Sequence, residues 1–568
     1  DISLDGGTTF NLDLGPLNPL NTYPARYPNI TASNYYTGSN PLNSQLLYYA
    51  NILDGSGASF DGHVYGIGNP VTSGVPLSTE HYAFQGQDAH LPGGLCQSAR
   101  GVYWATDAQG DGTAAVGNIY IYKGEFQPLV NDVVFTRTDT LVSNNYTGFS
   151  GVARVIGSNI AFAPDGQTGW VAWIGDLVGG PDSTYLPIFS KTTDCGDTWS
   201  TPVEVNLNSI AWIKDSLQTL WVDSLGNPAS NGRATCAFDY DLTVDADGNP
   251  HLAVVICTGI DYSVSSGLAK FLGDVTTSDG GATWDVDYIS PVLTFRTIDF
   301  GGTTQVNMDN FVQVARDEGG CNVFFSWADS DTAQVTGNGN GIGFGESTNL
   351  APNLRISAKN VATGMKTYPK LVTDLDLLWE GAVLYPTLAP IVSSDQNGWE
   401  LPIVTAVMSG SDPINPANFW YLGNDATIPN SNWCDPNAMN LSWDFWAYNA
   451  FVNPCSNPAV AFCNNAINGP CVPVAVQDPT ANGLVLDDAY PNPTASATVI
   501  GLSLSAAETV VLTLHNSIGQ QVMTIAQAEL RAGKHQFTFD ASDLPSGIYF
   551  YRLQTETTAV SKKLVVSH

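Results

Sequence analysis

Aspartate, threonine, glycine and tryptophan recur with one spacing in two octapeptides of this 568-residue chain. The pattern Thr-x-Asp-x-Gly-x-Thr-Trp is carried by Thr192, Asp194, Gly196 and Trp199, and again by Thr277, Asp279, Gly281 and Trp284. An Asp carboxylate in a tight turn accepts backbone N–H groups, a Gly supplies positive φ, and a following Trp covers the turn. We therefore predict that both octapeptides are structural hairpin turns.

Hard oxygen ligands for a cation occur at Asp245 and Asp247, on a turn that continues with Gly248 and Asn249. Carboxylate oxygens at this spacing favour calcium, although the full twelve-residue order of an EF-hand is missing. A turn capped by Asp without any metal explains the same residues. Calcium is thus the one cofactor that the sequence suggests, and no cofactor is certain.

Glycoside hydrolysis requires two suitably spaced carboxylates. The chain holds 53 acidic and 20 basic residues, a formal net charge of -33. The C-terminal stretch 487–568 contains only seven of these acids and five of these bases, so most of the negative charge belongs to the part before it. This surplus of carboxylates does not single out a catalytic pair, and the catalytic residues are unknown. A domain of this charge repels anionic sugars and nucleic acid, which excludes nucleic acid as a partner.

Nine cysteines are present, four of them in the Pro- and Asn-rich stretch 434–471: Cys434, Cys455, Cys463 and Cys471. In an exported protein such a segment is typical of disulfide cross-linking. A zinc site is the alternative, but the paired CxxC spacing of structural zinc sites is absent. The chain begins at Asp1 without a charged and apolar leader, which indicates a processed, exported protein. No apolar run approaches the ~20 residues of a membrane span.

The elements that position these residues recur along the chain. A turn followed by an apolar strand occurs after Asp165, Asp247 and Glu318, at similar intervals. An octapeptide follows each of the first two copies at nearly the same separation. Four strands with one Asp-capped hairpin form a propeller blade. We therefore predict an all-β chain with a propeller of about six blades, five to seven being acceptable, over residues 1–470.

After a connector at 471–486, short alternating strands and turns continue from Asp487 to the C-terminus and predict a small immunoglobulin-like β-sandwich. Its motifs resemble the type A C-terminal sorting domain of the type IX secretion system of Bacteroidetes-type bacteria. The residues that carry this resemblance are Pro491, Asn492, Pro493, Gly519, Gly547, Tyr549, Lys562 and Lys563. It implies export through the periplasm by the type IX translocon to the cell surface or beyond.

The octapeptides resemble the Asp-box, or BNR, repeats of sialidase-like propellers, which lie on outer hairpins away from the ligand face. The resemblance covers only the boxes and the strands before them, and the N-terminal Arg-Ile-Pro signature of sialidases is missing. We therefore expect a secreted surface protein whose propeller serves adhesion by binding an extracellular glycan or protein. We also expect that the protein can be a subunit of an extracellular assembly or filament. The alternative is a glycoside hydrolase acting on extracellular polysaccharide.

Overall fold

In a computed structural model, the chain divides into two compact units, residues 1–472 and 473–568. The residues that the structure describes are 25–33, 45–53, 60–68, 80–83, 89–110, 115–127, 130–141, 155–179, 184–214, 233–260, 263–264, 270–292, 298–299, 305–306, 310–330, 334–335, 347–348, 352–373, 383–395, 398–408, 417–423, 425–429, 433–434, 484–486, 489, 492, 494, 496–504, 507–516, 521–542, 544–555 and 559–566.

The first three blades of the large unit are four-stranded antiparallel sheets whose strands follow one another in chain order. Blade 1 consists of β1 (Ala25–Ser33), β2 (Gln45–Leu53), β3 (Phe60–Gly68) and β4 (His81–Ala83). Blade 2 consists of β5 (Ala89–Ala99), β6 (Val102–Gly110), β7 (Ala115–Gln127) and β8 (Asp132–Leu141). Blade 3 consists of β9 (Val155–Phe162), β10 (Gly169–Gly175), β11 (Leu186–Thr192) and β12 (Val203–Glu204), followed by a 3-10 helix at Leu207–Ser209.

The next three blades carry additional short strands. Blade 4 consists of β13 (Arg233–Val244), β14 (Pro250–Ile260), β15 (Ser263–Val264), β16 (Lys270–Thr276) and β17 (Asp285–Pro291). Blade 5 consists of β20 (Gln313–Asp317), β21 (Asn322–Ser330), β24 (Pro352–Asn360), β25 (Lys366–Thr367) and β26 (Lys370–Leu371). Blade 6 contains two groups of three antiparallel strands that follow one another along the same chain segments. One group is β27 (Leu384–Leu388), β30 (Ile403–Met408) and β31 (Ala417–Tyr421), and the other is β28 (Ile391–Asp395), β29 (Gly398–Glu400) and β32 (Thr427–Pro429).

Five further short strands belong to the described part of the large unit. They are β18 (Ile298–Asp299), which pairs with β19 (Gln305–Val306), β22 (Gln334–Val335), which pairs with β23 (Ser347–Thr348), and β33 (Trp433–Cys434), which extends blade 5 beyond β25. A parallel pairing of β20 with β28 joins blades 5 and 6 along one edge.

Buried apolar side chains fill each space between consecutive blades. Trp104 of blade 2 shares a cluster with Phe162 and Trp173 of blade 3. Four other clusters join blade 1 to 2, 3 to 4, 4 to 5 and 5 to 6. Sheets that bury both faces against their chain neighbours are the blades of a propeller. The large unit is therefore a β-propeller, and six blades lie among its described residues, as the sequence predicts.

The direction of the strands divides the propeller into two ends. In blades 3 and 4, the turn from first to second strand and the octapeptide turn from third to fourth strand lie at the same end, because successive strands are antiparallel. We call this the hairpin end and the opposite one the loop end. Each first strand runs from the loop end towards the hairpin end.

The small unit contains two antiparallel sheets. One is formed by β34 (Leu484–Leu486), β35 (Ala497–Leu504) and β38 (Gly533–Asp540). The other is formed by β36 (Glu508–Asn516), β37 (Gln521–Leu530), β39 (Gly547–Gln554) and β40 (Ala559–Val566). Both sheets contribute to one buried core, for example Ile500 from the first sheet and Leu512 and Tyr551 from the second. This β-sandwich agrees with the predicted fold.

Candidate functional site on the propeller axis

The first strands of successive blades are linked by bonds between a side chain and the backbone of the neighbouring blade. In two of these hydrogen bonds the side chain donates: Asn29 Nδ2 to Gly93 O (3.2 Å) and Asn159 Nδ2 to Tyr240 O (3.2 Å). In the other three a backbone N–H donates to the side chain: Val312 N to Asp239 Oδ2 (2.6 Å), Val314 N to Asp241 Oδ2 (3.0 Å) and Leu388 N to Gln313 Oε1 (2.6 Å). The first strand of a blade pairs with the second strand on one side only, apart from the short parallel pairing of β20 with β28, and backbone groups on its other edge need partners. These side chains supply such partners along the axis.

Two of these links use carboxylates, at Asp239 and Asp241 on β13. Burial raises the pKa of Asp241 to about 6, although the N–H groups of Val314 and Leu242 favour its charged form. Its carboxyl therefore exchanges its proton close to neutral pH. Their bonds to the β20 backbone give both aspartates a structural role.

An aromatic pair begins at Phe311, directly before Val312, whose N–H donates to Asp239. Phe311 precedes β20, and its ring meets the ring of Tyr385 on β27 edge to face, with centroids 5.3 Å apart. Both residues have φ of 48°, a left-handed conformation that is uncommon for bulky residues and costs about 1–3 kcal/mol each. Tyr385 is 51% exposed. Because both first strands begin at the loop end, the pair lies at that end of the axis.

An exposed aromatic ring held by a second ring is suited to stacking against the apolar face of a sugar or against a protein side chain. The sequence prediction named neither Phe311 nor Tyr385. Positive φ at non-glycine residues is not visible in a sequence, and the two rings are far apart along the chain.

The octapeptides form two nearly identical turns at the hairpin end. The Asp194 carboxylate accepts bonds from Thr192 Oγ1 (2.8 Å), Thr198 N (2.9 Å) and Thr198 Oγ1 (2.6 Å). The Asp279 carboxylate accepts the matching bonds at 2.8, 2.8 and 2.6 Å. These bonds hold the pKa of both carboxyls below its usual range. Carboxylates that are stabilised in this way serve the turn.

Glycine and tryptophan of each octapeptide contact the preceding blade. A Cβ atom at Gly196 would lie 2.3 Å from Cη2 of Trp104 in blade 2, and one at Gly281 would lie 3.3 Å from Trp170 in blade 3. The rings of Trp199 and Trp284 meet the same two tryptophans edge to face. The octapeptide turns thus join adjacent blades.

Asp245, the first calcium candidate, has both carboxylate oxygens engaged by the chain. Oδ1 accepts Asp247 N (2.9 Å) and Asn249 N (2.7 Å), and Oδ2 lies 3.1 Å from Asn249 Nδ2 and 3.3 Å from His251 Nε2. Asp247, the second candidate, is exposed. No cluster of three or more His, Cys, Asp or Glu side chains suited to a metal ion lies within the described ranges. Calcium therefore remains a prediction.

A buried ion network continues from this turn towards blade 5. Nδ1 of His251 lies 2.9 Å from Oδ2 of Asp274, which also accepts Lys359 Nζ at 3.0 Å. Lys359 contacts Asp287 as well, and Lys366 Nζ lies 2.9 Å from Asp287 Oδ1. Asp274, despite its burial, has a pKa far below the usual range because His251 and Lys359 stabilise its charge. The pKa of His251 is raised to about 9 by both carboxylates, which outweigh the opposing effect of burial.

The cysteines fall into three groups. Cys96, Cys236 and Cys257 hold free thiols, and burial raises the pKa of all three. Cys195 and Cys321 are disulfide-bonded. The predicted cysteines Cys455, Cys463 and Cys471 lie outside the described residues, and Cys434 is described only as part of β33.

Several residues of the predicted sorting motif meet at one edge of the sandwich. Asn492 donates from Nδ2 to Lys563 O (3.0 Å) and accepts Val565 N at Oδ1 (2.8 Å). Tyr549 donates from its hydroxyl to Pro545 O (2.9 Å), next to the start of β39 at Gly547. Lys562 and Lys563 lie on β40; Pro491, Pro493 and Gly519 lie outside the described residues.

The family comparison matches this sandwich. A model described as "Secretion system C-terminal sorting domain" covers residues 488–567. The small unit is a type IX C-terminal sorting domain. The protein is accordingly exported to the cell surface or the extracellular space. No curated protein matches the sequence. Within the described part of the chain, no helix is both long and apolar enough to cross a membrane.

Solved structures similar to the chain include three glycan-active enzymes. The exo-beta-1,3-galactanase of Phanerochaete chrysosporium is 10% identical, covers 84% of this chain and 95% of its own, and has a TM-score of 0.28. A GH43_1 enzyme from Xanthomonas citri is 12% identical over 56% and 84%, at 0.26. The Hadza microbial sialidase Hz136 is 13% identical over 67% and 66%, at 0.30. Such scores carry no argument for activity.

Proposed function

We propose that the propeller is a non-catalytic binding module of an exported surface protein and that it recognises a neutral extracellular glycan. The ligand stacks on Tyr385, which Phe311 supports, at the loop end of the axis. The observation that carries this proposal is the contact between two left-handed aromatic residues, one of them half-exposed, on the first strands of blades 5 and 6. Strained residues persist only where the surroundings hold them, and such positions are frequent in ligand sites.

The charge of the chain supports a neutral ligand. A large excess of carboxylates disfavours sialic acid or uronic acid, whereas stacking on an aromatic ring requires no charge. The bonds of Asp239 and Asp241 to backbone N–H groups support a role without catalysis, because a carboxylate fixed to its own backbone is poorly placed to attack or protonate a substrate.

Affinity electrophoresis of the full chain in gels containing neutral polysaccharides tests this proposal. Tyr385→Ala is expected to lose at least about fivefold in affinity, since stacking of an aromatic ring contributes about 1–3 kcal/mol in related cases. Trp420→Ala is the matched control, because Trp420 is 46% exposed but lies on the third strand segment of blade 6. Equal retardation of both variants and the unchanged protein would contradict the proposed site.

A second candidate is a glycoside hydrolase acting on extracellular polysaccharide. What supports it is the large excess of carboxylates in the chain, since hydrolysis of a glycosidic bond requires two of them. Release of reducing sugar from a polysaccharide that the protein binds would favour the hydrolase. Binding without any release of sugar favours the binding module, and adhesion of cells displaying the protein to the same polysaccharide then connects binding to its role on the surface.

A further inference from the structure

A cavity of about 340 Å³ lies on blade 6 across the strands β28, β29 and β32. Since β28 runs parallel to β20, the cavity is at the hairpin end of the propeller. Ser393 of β28 is the register partner of Glu400 on β29, and Glu400 is the partner of Thr427 on β32. Directly paired residues of antiparallel strands point to the same face of a sheet, so these three side chains form one polar row. The volume of the cavity is in the range of small-molecule sites.

The opposite face of the same three strands is the core face. Val392 and Trp399 are buried there, together with Ile428, in the cluster shared with blade 5. On the face of the polar row, Ser393 is exposed, whereas Glu400 and Thr427 are half-buried. Alternation along each strand therefore separates an apolar face that packs against blade 5 from a polar face that a ligand can reach.

Glu400 carries a negative charge that is not balanced by a basic side chain. Its Oε1 accepts the Tyr421 hydroxyl at 2.8 Å. None of the ion pairs among the described residues includes Glu400. Lys370, beside Thr427, donates instead to the carbonyl oxygens of Asp425 (2.8 Å) and Thr427 (3.1 Å). The second oxygen of the Glu400 carboxylate is thus suited to a cationic donor.

The groups around this carboxylate favour an ammonium over a metal ion. Calcium requires about six to eight oxygen ligands, whereas the described lining of the cavity offers one carboxylate and the hydroxyls of Ser393, Ser394 and Thr427. An ammonium donates three hydrogen bonds, which match the carboxylate oxygen and two hydroxyl oxygens. The volume exceeds that of an ammonium group, and hydroxyls that both donate and accept suit the ring hydroxyls of a sugar.

We propose that this cavity binds an amino sugar whose free ammonium group contacts Glu400 and whose ring hydroxyls contact Ser393, Ser394 and Thr427. The site is separate from Tyr385, which lies at the loop end, and it extends the binding of the propeller from neutral to cationic saccharides. The net charge of -33 supports such a ligand, because it raises the concentration of cations around the protein.

Isothermal titration calorimetry of the full chain at pH 6 tests the proposal with D-glucosamine, D-glucose and N-acetyl-D-glucosamine. The three sugars share one ring and differ at C2, where only glucosamine is charged. Glucosamine is expected to bind at least about tenfold more tightly than the other two, because a hydrogen bond between charged groups is stronger than one between neutral groups. Equal affinities of the three sugars, or no binding of glucosamine at millimolar concentration, overturn the proposal.

Two variants with the same change of charge locate the site. Glu400→Gln keeps an acceptor for Tyr421 and is expected to weaken the binding of glucosamine at least about tenfold. Glu125→Gln, on blade 2 with a side chain that is 56% exposed, is the control and should leave binding unchanged. Equal loss in both variants, or loss in neither, overturns the proposal.

A fourth probe, Nα-acetyl-lysinamide, distinguishes an amino sugar from a lysine side chain of a protein. Tighter binding of this amine than of glucosamine overturns the proposal, since the ring hydroxyls would then contribute nothing. The comparison of the four probes uses the unchanged protein, so its outcome does not depend on the folding of a variant.

Discussion

Raising the pH from 6 to 9 should destabilise the propeller through one side chain, His251. Its pKa is about 9 in the folded protein and about 6.5 in an ordinary environment. A folded pKa above the unfolded one means that the folded state holds the proton more tightly. The stabilisation is fully present below pH 6.5 and is lost as the pH rises through 9. The ion network explains why the folded state binds this proton more tightly. It contains three carboxylates and two lysines, so only protonated His251 balances the negative charge.

The magnitude follows from the size of the shift. A difference of about 2.5 pKa units corresponds to about 3 kcal/mol, with a slope approaching ~1.4 kcal/mol per pH unit between 6.5 and 9. Lys270 acts in the opposite direction at higher pH, since burial lowers its pKa to about 8 and its charged form costs stability below that value. A comparison of the unchanged protein with His251→Gln cancels this contribution, because both contain Lys270.

Urea unfolding followed by tryptophan fluorescence is a suitable assay, because all 14 tryptophans lie in residues 1–472. The free energy of unfolding of the unchanged protein minus that of His251→Gln is expected to fall by about 3 kcal/mol from pH 6 to 9.5. Glutamine also changes packing, so the test uses only the pH dependence of this difference. A difference that stays constant over this range, within the error of the urea titrations, would refute the reasoning.

Three other substitutions test the turns and the sandwich. Gly196→Ala should reduce the free energy of unfolding by about 2–4 kcal/mol in urea titrations, because position 196 has positive φ and the new Cβ overlaps the ring of Trp104. Gly179→Ala is the control, since Gly179 has the same φ of 85° but no atom lies within 4 Å of the new Cβ. This control should reduce the free energy of unfolding by only about 1–2 kcal/mol. Asp194→Asn should lower the thermal midpoint at pH 7, and its deficit should shrink as acidification below pH 4 protonates Asp194 in the unchanged protein; a deficit that is independent of pH would argue against the charged bonds. Asn492→Ala removes two hydrogen bonds to β40 and should lower the stability of the sandwich by about 1–2 kcal/mol. It should also reduce the amount of protein found outside the cell on immunoblots. Ser542→Ala, at an exposed position, is the control and should leave export unchanged.

The sequence predicts the features that depend on neighbouring residues. The succession of short strands and turns after Asp487 predicts the last sandwich strand at Ala559 to Val566, the bounds observed for β40. The two octapeptides predict hairpins because one Asp carboxylate and its threonines make all the bonds within a single turn. Blade 6 has a related turn between β28 and β29, from Asp395 to Gly398, but no octapeptide follows it, so spacing alone does not reveal it.

Features that depend on distant residues could not be predicted. Lys359 and Asp274 are 85 residues apart, and each alone is an ordinary charged residue in a strand. Asp239 and Asp241 likewise follow no motif, and their carboxylates become acceptors only because β20 presents its N–H groups at a distance of 73 residues. The Tyr385 site depends on backbone dihedrals that the local sequence does not determine.

The side-chain links between first strands have a consequence for how this architecture can change. Each link requires a particular residue in one blade and a free backbone group in the next, as with Gln313 and the N–H of Leu388. Duplicating or deleting a single blade would bring together two strands that were never matched and leave polar groups without acceptors or donors. Gain or loss of a single blade is therefore disfavoured, and sequence variation should accumulate in the connections at the loop end.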